Sequence, residues 1–142
     1  MNPGDLVEIN TEAGRGYVLV THLHPAYPEA LRVYSGLHVA RPAKLAEATA
    51  APFSIVLFPL SAAMLDGELA GEVVDRLPVP AAERAYPLFR TPIRDRNGDA
   101  IYWWLWDGDA ITPAEEGRDI AHLPVREVVG VETLLGLLAG RS

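Results

Sequence analysis

Two histidines one residue apart, His22 and His24, come closest to chemistry by type and spacing. On a strand, positions i and i+2 share a face, so both imidazoles could reach one ion or one substrate. A metal site needs at least a third nitrogen or oxygen ligand. Glu29, His38 or Asp107 would supply it only after folding. Such a site would make the protein a small metal-dependent hydrolase. The plainer reading leaves His22 and His24 near a strand end, hydrogen-bonded or solvated. His38 and His122 stand alone. Cysteine is absent, which removes thiol catalysis, disulfides and cysteine-ligated zinc.

The second constellation is aromatic. In a strand over Ala100–Trp106, Ile101, Trp103 and Leu105 project from one face and Tyr102, Trp104 and Trp106 from the other. Neither face offers a polar side to water. The bland reading is a central strand packed on both sides. The sharper one leaves Tyr102, Trp104 and Trp106 partly open as a contact platform, with Asp107 and Asp109 beside it. Tryptophan and tyrosine dominate binding hot spots and also stack on sugars.

Other patterns fail on inspection. Counting from Asp95, a calcium loop would need glycine sixth and glutamate twelfth, where this chain has Ala100 and Trp106. There is no phosphate loop, no dinucleotide fingerprint and no Gly-x-Ser-x-Gly elbow. No catalytic or metal-ligating set is assigned, and nothing calls for a cofactor.

The elements that must hold these residues are short, because twelve glycines and twelve prolines punctuate the chain. Strands are expected at Leu6–Ile9, Tyr17–His24 and Ala30–Ser35, a three-strand meander with a turn at Thr11–Gly16. Ala43–Ala50 favours a short helix. Phe53–Phe58, nearly all apolar between Pro52 and Pro59, reads as a strand buried on both faces. Ser61–Leu65 reads as one helical turn capped by Ser61 and ended by Gly67. Leu69–Arg76 follows as a strand, and Pro78 to Pro87 as a loop. Asn97-Gly98 predicts a hairpin between Leu88–Arg94 and Ala100–Trp106, and Asp107-Gly108 a second return. Val125–Val129 has β character, and Val131–Ala139 is an amphipathic helix.

The 142 residues suit a single domain. The formal charge of −7 disfavours nucleic acid. No apolar run reaches the ~20 residues of a membrane helix, and the first residues lack signal-peptide character, so a cytoplasmic location is expected.

Pro3-Gly4-Asp5-Leu6, Tyr17-Val18-Leu19-Val20 and Phe53-Ser54-Ile55-Val56-Leu57-Phe58-Pro59 resemble the bacterial immunity protein 26 family. Ala62-Ala63, Gly67, Pro78, Pro80 and Pro87-Leu88-Phe89-Arg90 extend the likeness over roughly residues 3 to 107. The Trp103-Trp104-Leu105-Trp106-Asp107-Gly108 segment is similar to one in other small bacterial proteins. The resemblance implies a β-rich domain that binds and blocks a cognate toxin, with no catalytic residues.

The expected fold is α+β: a mainly antiparallel bent sheet or partly open SH3-like barrel with a C-terminal helix. The leading function is a non-enzymatic protein-binding domain, immunity-like if the resemblance holds, whose acidic surface steers a basic partner. Against it stand the hydrolase using His22 and His24, and a small-molecule or carbohydrate-binding barrel. A homodimer is a further option for the aromatic face or an edge strand.

Overall fold

A computed structural model describes residues 1–141. The fold is α+β, with a five-stranded and a three-stranded antiparallel sheet, and neither sheet is closed. The single domain expected from length divides into two compact units, Met1–Arg84 with the segment from Val128, and Ala85–Glu127.

The larger unit opens with the expected meander: β1 (Asp5–Thr11), β2 (Gly14–His22) and β3 (Ala30–Tyr34). After α1 (Ala46–Thr49) come β4 (Phe53–Leu57), α2 (Leu60–Leu65) and β5 (Ala70–Arg76). The sheet order is β4-β3-β2-β1-β5. A 3-10 turn at Ala81–Glu83 and the C-terminal helix α3 (Val131–Leu138) complete the unit.

Strand alternation builds two cores. Val7, Ile9, Val18, Val20, Leu31 and Val33 face Phe58 and Leu60 near α2, and Leu134 and Leu138 of α3. Each such side chain contributes about 1.5–3 kcal/mol on full burial. On the opposite face, Leu6, Tyr17 and Tyr34 are covered by Leu45, Ala48 and Ala51 from the α1 segment. The central strands are therefore covered on both sides.

Three local readings are corrected. The β1–β2 turn is only Glu12-Ala13, because Thr11 pairs with Gly14. Gly16 belongs to the strand, where a Cβ would sit 2.7 Å from Leu138 Cδ2. Its lack of a side chain admits α3 rather than forming a turn. The Phe53–Phe58 segment carries an edge strand, with Phe53 46% exposed and burial confined to Val56, Leu57 and Phe58. Prolines on both sides keep it short, so just its C-terminal end reaches the core. Finally, α2 has no side-chain cap of its own. The Ser61 N–H donates to Glu29 Oε2 at 2.8 Å, so a carboxylate distant in sequence does that work.

The smaller unit is a meander of β6 (Phe89–Arg94), β7 (Ala100–Trp106) and β8 (Ile111–Pro113). The Asn97-Gly98 signal marks a real reversal, and the loop runs from Asp95 to Asp99 between the expected arms. Asp95 Oδ1 accepts from the N–H groups of Asn97 and Asp99, and Gly98 takes φ +85°. Val125 forms a parallel bridge with Arg90. Among the described residues, no helix is long and apolar enough to cross a membrane.

Candidate functional site

The structure does not bring His22 and His24 together as one strand face. His22 ends β2 at a register shift after Val20, and His24 lies beyond the strand. His22 Nδ1 is 2.9 Å from Thr21 Oγ1, and its Nε2 is 3.0 Å from the Glu83 carbonyl oxygen. His24 Nδ1 accepts from the Ala26 N–H at 3.0 Å, and the ring meets Tyr27 edge-on at 5.2 Å. Proline at 25 ends the extended run, so only His22 of the two lies on the strand. Among the described residues, no group of three His, Cys, Asp or Glu side chains is placed to hold a metal ion.

A charged cluster that the sequence reading missed lies in the larger unit. Glu8 is fully buried on β1, opposite Tyr17 on β2 and Glu72 on β5. Its Oε2 accepts from Tyr17 Oη at 2.7 Å and Arg41 Nε at 2.8 Å. Its Oε1 accepts from Arg41 Nη2 at 3.2 Å and Arg15 Nη1 at 3.3 Å. Arg41 Nη2 also reaches Glu72 at 2.9 Å. The signal was a glutamate inside an otherwise apolar strand, Leu6-Val7-Glu8-Ile9. A charge there must be paired.

The electrostatics show a clamp. The Arg41 hydrogen bond, with help from Tyr17 and Arg15, outweighs burial and holds the Glu8 carboxyl below its ordinary value. Burial, reinforced by the Glu8 carboxylate, pushes the Tyr17 phenol up to about 12. A general base needs a free lone pair and a pKa near working pH. Glu8 accepts four hydrogen bonds and has moved the other way. The cluster instead pins the segment bearing Arg41 onto the sheet. Arg15 and His38 add a two-way backbone bridge at 2.7 and 2.9 Å.

The aromatic strand grades from open to closed. Tyr102 is 51% exposed, Trp104 is half-buried, and Trp106 is 4% exposed. Trp106 packs on Tyr86 and Phe89, with centroids 5.2 and 5.6 Å away, and Arg126 lies over its ring. As an anchor it is therefore corrected: it is core. On the other face, Trp103 carries the Arg90 guanidinium 4.4 Å from its ring centre.

Pairing replaces the lost anchor. Ile111 of β8 lies directly opposite Trp106, and Pro113 opposite Trp104. Cross-strand partners share a face, so Tyr102, Trp104, Ile111 and Pro113 form one run. Ile111 is 44% exposed. Asp107 and Asp109 border this run and are exposed. Asp107 Oδ1 accepts from the Ala110 and Asp109 N–H groups, which hold its carboxyl below the usual range. It thus shapes the β7–β8 turn while keeping its charge. Glu115 and Glu116 follow β8, exposed and without an ion pair among the described residues. No family model, curated protein or solved structure matches the chain.

Proposed function

We propose that this protein is a non-enzymatic, cytoplasmic binding domain that docks a basic protein partner on the β7–β8 face. The supporting observation is the solvent-facing pair Tyr102 and Ile111 on one sheet face, bordered by Asp107, Asp109, Glu115 and Glu116. An apolar centre with a charged rim is the anatomy of a transient protein interface. The rim's sign selects a cationic partner and speeds encounter. The aromatic side chain supplies contact area at low entropic cost.

Resemblance to the immunity protein 26 family gives the finer form of this reading: the partner is a toxin, and docking blocks it. Immobilised protein is expected to retain a basic protein from its own cell lysate. Tyr102→Ser and Ile111→Ser are expected to lose it while keeping their circular dichroism, since both side chains are already solvated. Undiminished capture by both variants sinks the β7–β8 face as the docking surface. The toxin reading further requires that the captured protein be inhibitory to cells and neutralised by added wild-type chain.

A further inference from the structure

The larger unit contains an open cleft of about 470 Å³ that the docking reading does not use. This size lies within the range of small-ligand sites, roughly 300–1,000 Å³. Its floor is apolar: Leu69 is buried, and Leu37 and Leu135 are partly buried against the main core. The hollow exists because its walls include Ala13 and Ala139, side chains too small to fill it.

The rim is charged and prearranged. Glu12 sits in the two-residue β1–β2 turn, which Thr11 fixes by donating to the Gly14 carbonyl and accepting from the Ala13 N–H. Gly14 lets this turn lie close to the segment after β3, since a Cβ there would meet the His38 carbonyl oxygen at 2.9 Å. Glu68 and Arg141 complete the rim. Glu12, Glu68 and Arg141 are all exposed, and none forms an ion pair among the described residues. Two carboxylates and one guanidinium thus border an apolar floor, none of them neutralised by another described residue.

We propose that this cleft binds a free peptide of two or three residues, with a basic group on Glu12 and Glu68, an apolar side chain on the leucine floor and the terminal carboxylate on Arg141. Charge complementarity commits the site to a zwitterion: a simple cation leaves Arg141 unused, and a simple anion meets two carboxylates. The carboxylate–guanidinium contact can be bidentate, which adds orientation as well as affinity.

The test is titration of the intact protein with the tripeptide Arg-Leu-Ala, followed by backbone amide NMR. Saturable shifts are expected at Glu12, Ala13, Leu69 and Leu135. Glu12→Gln and Glu68→Gln should each weaken binding roughly threefold, the scale of an exposed ion pair. Amidating the peptide carboxylate should cost about as much in wild type and nothing further in Arg141→Gln. Ala139→Phe, which fills the cleft from an exposed helix end, should abolish the shifts and leave distant resonances in place. Equal binding of Asp-Leu-Ala, equal binding of putrescine, or no saturation at millimolar peptide would each overturn the proposal.

Discussion

Arg41 grips Glu8 side-on, Nε to Oε2 at 2.8 Å and Nη2 to Oε1 at 3.2 Å, across 33 positions of sequence. The two partners are unequal in exposure: the Glu8 side chain is 1% exposed and that of Arg41 is 43% exposed. Arg41 can return to water when the bond breaks, whereas Glu8 cannot without the covering segment moving. The clamp therefore ties the burial of one carboxylate to the seating of the segment that carries Arg41.

This makes stability depend on pH in a defined direction. Glu8 has a folded-state value below the ordinary 4.5. The unfolded chain thus binds the proton first, so the contribution is whole above about pH 4.5 and disappears as pH falls through the lower folded value. Urea midpoints measured downward from neutral pH should fall in that window. Glu8→Gln, though less stable at neutral pH, should show a flatter acid limb. Parallel curves for the two proteins would remove Glu8 as the titrating group.

Tyr17 offers an optical handle on the same cluster. Burial pushes its phenol up to about 12 and raises that of Tyr34 as well, so ultraviolet absorbance should show late-ionising components, Tyr17 among them. Tyr17→Phe should remove the part near pH 12 and leave that of Tyr34. It should also cost about 2 kcal/mol, because a buried hydrogen bond to a charged acceptor is lost. Unchanged absorbance near pH 12 would assign that ionisation to another tyrosine.

The cap of α2 separates local from distant control. Glu29→Ala should destabilise by about 1 kcal/mol, the usual size of a lost N-terminal cap, because its carboxylate accepts from the Ser61 N–H. Ser61→Ala should be near neutral, since the Ser61 side chain caps nothing. Thermal melts of the two variants decide between them, and the reverse ranking would restore Ser61 as the cap.

All three tryptophans lie in Ala85–Glu127, so their fluorescence reports that unit. Gly108 has φ +93°, and a Cβ there would lie 2.6 Å from the Tyr86 ring. An L-residue in that conformation costs about 1–2 kcal/mol before any clash. Gly108→Ala should therefore lower the tryptophan-monitored urea midpoint. Gly98→Ala, where no atom lies within 4 Å of the added Cβ, should cost only the conformational part. Equal losses would show that Tyr86 yields without penalty.

Much of the fold was legible because its signals are local. Proline and glycine marked the ends of short strands, and β1, β2 and β3 pair in chain order as their alternation implies. Asn97-Gly98 and Asp107-Gly108 both mark reversals, with Gly98 and Gly108 at positive φ. The α3 stripe was read correctly, with Leu134 and Leu138 buried. The errors came where burial depends on neighbours. An apolar run such as Phe53–Phe58 reads the same on an edge as in a centre, because periodicity records how often a face is apolar and not what covers it.

The sequence by itself determined the α+β class, the strand boundaries to within a few residues and the acidic charge, since backbone preferences and side-chain alternation act over a few positions. Only the tertiary structure decided that Trp106 is core while Tyr102 and Ile111 face solvent. It also decided that β2 ends at His22 and leaves His24 outside it, and that Glu8, Tyr17, Arg15 and Arg41 converge. Those outcomes depend on which strands become neighbours and what packs over them. Hydrogen bonds and Coulomb attraction act through space at a few ångströms, and one-dimensional spacing carries no measure of that distance.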